Sequence, residues 1–236
     1  MTEELFRDDG YLKECEAVVS GVHEGGIELD RTVFYYTSGG QPGDTGTLTS
    51  AGGVSVDIID TRKDRDSGAY LHVPAEGSAA FSVGEKVTAM IDWQRRHRFM
   101  RMHTCMHLLC SVIDGGVTGG SIGESKGRID FDLPVLDLDK EAIAAQINQR
   151  IDENLPVTSS WISDEEMASN MDMVRTMSVK PPSGQGRVRL INVEGVDLQP
   201  CGGTHVKATG EIGRVRVGKI ENKGKHNRRV NLHFVE

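Results

Sequence analysis

Short apolar runs recur between residues 11 and about 92, at 17–19, 27–29, 33–35, 54–59, 70–73 and 87–91. Turn signals separate them at Gly25-Gly26, Gly39-Gly40, Gly52-Gly53 and Gly84. Val54, Val56 and Ile58 interleave with Ser55 and Asp57, the alternation of a half-buried strand. Six such strands predict a small β-barrel or sandwich. The period changes after Asp92-Trp93. Phe99, Met102, Met106, Cys110 and Ile113 step by three and four, which predicts a helix over 93–113 with an apolar stripe. Gly115-Gly116 ends it. Two strands joined over 123–127 follow within 117–131. Asp139 caps a second helix carrying Ile143, Ile147 and Ile151. That helix stops before Pro156, since the residue ahead of a proline resists the α region. Ser163 and Glu166 form a capping box for a third helix. A loop at 181–186 leads to strands at 188–193, 215–220 and 230–235. The expected architecture is α+β: residues 1–92 a β-barrel-like domain with a glycine-rich loop, residues 93–236 an α+β metal domain.

Composition narrows the class. Of 236 residues 37% are hydrophobic and 5% aromatic, enough apolar surface for a core. No apolar run approaches the ~18 residues a membrane helix needs. Four cysteines occur without a secretory signal, so a reducing cytoplasm is expected, with no membrane partner. A net charge of −8 argues mildly against a polyanion. The charge is uneven, however. Arg95, Arg96, Arg98 and Arg101 crowd one segment; Lys219, Lys223, Lys225, Arg228 and Arg229 crowd another. Such clusters suit a local RNA contact, although solvated element ends look the same. Among the other histidines, His23, His72 and His233 read as surface or strand residues, while His97 and His226 sit among cations that could meet phosphate.

The candidate chemistry starts at His103 and His107. Four residues apart on a helix, they share one face and can hold one ion. Cys201 and His205 lie about a hundred residues on, in Cys201-Gly-Gly-Thr-His205. Together they make a tetrahedral nitrogen and sulfur set of the kind zinc prefers, one ion per chain. Cys105 turns away from that face and reads as packing. Thr104 stands where a zinc protease would carry its glutamate. Four protein ligands usually close a site; release of one, most readily His205, would let the ion activate water. No catalytic side chain is assigned, with Asp130 the runner-up as a base.

His103-x3-His107 with Gln199-Pro-Cys201-Gly-Gly-Thr-His205-Val resembles the editing domain of alanyl-tRNA synthetases, and still more closely the free-standing alanyl-tRNA editing proteins. The resemblance extends through Ser38-Gly-Gly-Gln-Pro-Gly-Asp44-Thr-Gly46, Arg128-Ile-Asp-Phe-Asp132, residues 174–182 and Glu221-Asn-Lys-Gly-Lys225. Phe34-Tyr35-Tyr36 departs from the Phe-Tyr-Pro that usually enters the glycine loop. The resemblance implies hydrolysis, in trans, of the ester joining a wrong amino acid to the acceptor end of tRNA(Ala), chiefly serine and also glycine. Residues Thr118 and Ser121, with Gly202, Gly203 and Thr204, are expected to meet the amino acid. Gly39, Gly40, Gln41, Asp44, Arg98, Arg101, Lys223, Lys225, Arg228 and Arg229 are expected to meet the RNA. No ATP-binding signature or room for an aminoacylation domain is found. The alternatives are a threonyl-tRNA-type editing factor, a zinc-stabilised RNA-binding module without catalysis, and, more remotely, a metallo-amidase.

Overall fold

The computed structural model describes residues 2–134, 138–170, 174 and 186–235. The motif at 174–182 and the loop at 181–186 fall almost wholly outside them. The chain forms two compact units, Met1–His97 and Arg98–Glu236. Among the described residues no helix is long and apolar enough to cross a membrane.

The first unit runs β1 (Glu3–Glu4), α1 (Leu5–Asp8), β2 (Glu14–His23), β3 (Gly26–Leu29), β4 (Arg31–Thr32), β5 (Gly46–Ser50), β6 (Ser55–Lys63), β7 (Tyr70–Pro74) and β8 (Lys86–Ile91). Six of these strands close a barrel in the order β2-β3-β7-β6-β5-β8, and β1 pairs with β4 in parallel. Closure removes free strand edges. Val19, Leu29, Leu48, Val56, Val87 and Ala89 fill the interior, each at most 1% exposed. The expected strand at 33–35 is instead a buried connection, and β5 takes the sixth place. A barrel strand needs only its inward positions filled. In Gly46-Thr-Leu-Thr-Ser50 those are Leu48 and Ser50, so no apolar run marks it.

Ionisable groups are sealed into this unit. Asp44 is 1% exposed and Arg96 0%. Arg96 Nε donates to both carboxylate oxygens at 2.9 Å, and Nη2 closes the pair with Oδ2. Arg96 also donates to the carbonyls of Gly10 and Val33. His72, read as a surface or strand residue, lies in β7 but is fully buried. Its Nδ1 donates to the Ile27 carbonyl at 2.9 Å, and its Nε2 meets the Thr32 hydroxyl at 2.8 Å. That hydroxyl accepts from Phe34 N–H, so its own proton points to His72 and the neutral ring is the satisfied form.

Helix α2 (Trp93–Val112) begins in the first unit, and the division falls between His97 and Arg98. The junction expected at Asp92-Trp93 is the start of the helix. The first helical turn belongs with the barrel because Trp93 packs on its core and Arg96 pairs with Asp44.

The second unit continues with β9 (Gly116–Ile122), β10 (Lys126–Asp132), α3 (Lys140–Asp152), β11 (Val157–Ser163), α4 (Asp164–Ser169), β12 (Arg187–Val193), β13 (Asp197–Pro200), a 3-10 turn (Thr209–Ile212), β14 (Val215–Asn222) and β15 (Asn227–Phe234). One sheet has the order β14-β15-β10-β9 and the other β11-β12-β13. Asp139 caps α3 and the Ser163–Glu166 box opens α4. Strands β11 and β13 are additions to the sequence reading, both poor in apolar residues. Residues 99–110 of α2 are buried on nearly every side, not along one stripe. Gly127 lets β10 approach it, since a Cβ there would stand 2.8 Å from Met102.

Candidate metal centre

Helix α2 carries His103 and His107 one turn apart, and the chain leaving β13 carries Cys201 and His205. Their ligand atoms all lie within 4.8 Å of one another. Cys201 Sγ is 3.4 Å from His103 Nε2 and 3.3 Å from His205 Nε2. Zinc bonds of 2.0–2.3 Å in a tetrahedron imply donor separations of roughly 3.5 Å, so these residues fit one such ion. His103, His107 and His205 are 8%, 5% and 7% exposed. This set could hold a metal ion.

Residues around the set orient it. His107 Nδ1 donates to Asp197 Oδ2 at 2.9 Å, and Gln199 Nε2 donates to the same oxygen at 2.8 Å. With its proton on Nδ1, His107 presents Nε2 as a donor atom. The Thr104 hydroxyl contacts His205 Nδ1 at 3.1 Å and accepts from Val206 N–H. Arg189 Nη1 donates to the carbonyls of Gly203 at 2.8 Å and Cys201 at 3.3 Å, gripping both ends of the Cys-Gly-Gly turn. Gly203 N–H points at Cys201 Sγ. Burial opposes the Cys201 thiolate, but His103 and His205 outweigh it and hold the thiol well below its usual range. Burial would lower His107, yet Asp197 and Cys201 raise it to about 9. Burial, followed by repulsion from His103, keeps His205 well below the ordinary imidazole value. A cation bound there would displace the extra proton of His107, since a ligating imidazole must be neutral.

Sequence reasoning missed Asp197, Gln199, Thr104 and Arg189. Only the folded strand marks them: in β13 Asp197 and Gln199 are buried while Leu198 between them is 44% exposed. That inverts the ordinary pattern of a half-buried strand.

The remaining expected residues are dispersed. Thr118 in β9 is half-buried, and its hydroxyl donates to the Asp130 carbonyl at 3.0 Å. Ser121 pairs across with Arg128. Gly203 and Thr204 are buried, and Gly202 is half-buried. In the first unit Gly39 and Gly40 are exposed with φ of 55° and 83°. Gln41 and Asp44 are buried beneath them, so their side chains face the protein and not a solvent-borne RNA. Arg98 is exposed near Glu124, and Lys223 and Lys225 are exposed at the β14–β15 hairpin. Arg101 is committed to the Ile212 carbonyl and stacks on Phe234. Arg228 is 3% exposed and donates to Asn222, Gly224 and Asn227. It staples the hairpin that displays the lysines. Arg229 forms two hydrogen bonds with Asp130, which holds that carboxyl below its usual range. The runner-up base is therefore an ion-paired carboxylate.

Residues 188–231 match the family model described as the threonyl and alanyl tRNA synthetase second additional domain. Residues 6–95 match the class II (A) tRNA synthetase model. An alanyl-tRNA editing protein AlaX-M of Methanosarcina acetivorans is 39% identical over 98% of this chain and 98% of its own. The AlaX-M protein of Pyrococcus horikoshii is 32% identical over 98% and 97%. An alanine–tRNA ligase of Saccharolobus islandicus is 30% identical over 93% of this chain, which spans 25% of that enzyme. On these full-length matches the chain belongs to the AlaX-M family of alanyl-tRNA editing proteins.

Proposed function

We propose that this protein is an aminoacyl-tRNA deacylase that hydrolyses, in trans, the ester of mischarged tRNA(Ala), chiefly seryl-tRNA(Ala), with glycyl-tRNA(Ala) as a further substrate. One zinc ion would be held by His103, His107, Cys201 and His205. The observation that carries the reading is the four-donor set, closed to within 4.8 Å, in a chain colinear with proteins named for alanyl-tRNA editing. Zinc there would supply Lewis-acid chemistry, polarising the ester or favouring ionised water. Asp197 and Thr104 hold two of the imidazoles, and Arg189 holds the turn that presents the thiolate. Exposed Lys223 and Lys225 offer phosphate contacts, and Gly39 and Gly40 offer exposed backbone.

Between serine and alanine, selection must run against the smaller, correct amino acid. Alanine fits wherever serine fits, so only a hydrogen bond to the hydroxyl can separate them. Thr118 already spends its proton on the Asp130 carbonyl, and its oxygen is left to accept a proton from a serine hydroxyl. A buried polar group left unpaired costs about 1–3 kcal/mol. That is roughly tenfold to a hundredfold in rate.

The test is deacylation of tRNA(Ala) charged with serine, glycine or alanine, and of threonyl-tRNA. Serine should be released fastest and alanine spared, and Thr118→Val should shrink the serine-to-alanine ratio at unchanged zinc content. Preference for the threonyl ester would move the protein to the threonyl-type function. Release of none would leave a zinc-stabilised RNA-binding module. An unchanged ratio in Thr118→Val would pass the role to Ser121.

A further inference from the structure

The β11-β12-β13 sheet carries a second feature on the face that bears the metal-ligand set. Paired residues in an antiparallel sheet share a face. Trp161 pairs with Arg189, and Ser163 with Arg187. Cys201 N–H donates to the Arg189 carbonyl at 3.0 Å. Across three strands the order is therefore Cys201, Arg189, Trp161. Burial falls off in that direction: Arg189 is 9% exposed, Trp161 half-buried and Arg187 exposed. The Arg187 guanidinium lies over the Trp161 ring, 4.1 Å from its centroid. Two strand spacings place the pair roughly 10 Å from Cys201.

Resting on the proposed function, we infer that Trp161 and Arg187 form a stacking shelf for the base of the 3′-terminal adenosine of the charged RNA. The ester to be cut is attached to that nucleotide's ribose, so its base must lie within a nucleoside's length of the ligand set. Arg187 is exposed where it lies over the indole, and both Arg planes and aromatic rings stack nucleobases. Arg189 cannot serve in this way, because it is buried and committed to the carbonyls of Cys201 and Gly203. The shelf reads no base edge. It accepts the terminal base by its π-face and thereby sets how far the ester reaches.

The experiment uses the zinc-loaded full chain and a 5′-labelled tRNA(Ala) acceptor minihelix, either complete or lacking its terminal adenosine. Removing that nucleotide should weaken binding to the parent roughly tenfold, the scale of one stacked base. Arg187→Lys keeps the charge and removes the plane, and it should bind the two minihelices alike. Trp161→Leu should do the same, whereas Trp161→Phe should keep most of the difference. Zinc per chain and the thermal midpoint should match the parent, which separates a lost shelf from a misfolded sheet. If Arg187→Lys still distinguishes the two minihelices as the parent does, Arg187 is a phosphate contact and the shelf is refuted. If the parent binds both equally, the shelf falls while the deacylase reading stands. If the parent binds neither, the deacylase reading falls first and takes the shelf with it.

Discussion

Replacing Asp44 with Asn should unfold the first unit far more readily, and the reason lies in what Arg96 would lose. The Asp44 carboxylate accepts from Arg96 Nε and Nη2 and from Tyr35 N–H, the last at 2.6 Å. Asparagine keeps the shape and one acceptor oxygen but removes the charge. Arg96, 0% exposed, would keep the carbonyls of Gly10 and Val33 and one neutral amide oxygen, with no counter-charge. Removing one partner of a buried pair costs about 3–5 kcal/mol. For a unit of this size that is a fall of roughly 10–25 °C in melting temperature. Trp93, packed on the barrel core, reports the transition by fluorescence in a Trp161→Phe background, alongside far-UV circular dichroism. Arg96→Met should cost a similar amount because it leaves Asp44 unpaired. The double variant should cost less than the two singles together by at least about 2 kcal/mol, since no orphaned charge remains. If Asp44→Asn shifts stability by under about 0.5 kcal/mol and weakens RNA binding instead, the buried-pair reasoning is refuted and Asp44 returns to the RNA surface expected from the glycine loop.

Cys201→Ala should reduce bound zinc well below one per chain by elemental analysis; full retention would remove Cys201 from the ligand set. Asp197→Asn should weaken zinc about 10–100-fold in a chelator competition, because the carboxylate that orients His107 is lost, and an unchanged affinity would deny Asp197 that role. Lys223→Ala with Lys225→Ala should flatten the salt dependence of RNA binding by up to about 1.5 in logarithmic slope. Arg228→Ala should instead loosen the hairpin, seen as faster amide exchange over residues 222–227. Burial depresses His72 from 6.5 to about 4 despite its bond to the Ile27 carbonyl. The unfolded chain therefore takes up this proton first. The neutral ring's full contribution holds above pH 6.5 and is withdrawn as the pH falls through 4, to a total of about 3 kcal/mol. Urea titrations across that range should show the decline, and a flat profile would contradict the assigned burial.

The legible parts of this chain were those governed by neighbours in sequence. The period-3.6 run around Phe99 and Met106, the Asp139 cap and the Ser163–Glu166 box are decided within a few residues, and the structure forms each of them. Strands β5, β11 and β13 were not legible. An edge strand or a barrel strand is stabilised largely by packing against neighbours that the sequence does not place beside it. The basic clusters were only partly legible for a related reason. Lys225, Arg228 and Arg229 look equivalent in sequence, yet one is exposed, one staples a hairpin and one pairs with Asp130.

The sequence by itself determined the donor types. Two histidines one helical turn apart and a Cys-x3-His turn have a chemistry set by their nitrogen and sulfur atoms and by local geometry. The tertiary structure decided everything that depends on distance across the chain: that these donors meet, that Asp197 and Thr104 aim two of the imidazoles, that Arg189 clamps the turn, and that Asp44 serves Arg96. Hydrogen bonds and ion pairs act over a few ångströms whatever the separation in sequence, and His107 and Asp197 are ninety residues apart. Only the packed fold brings such groups into range.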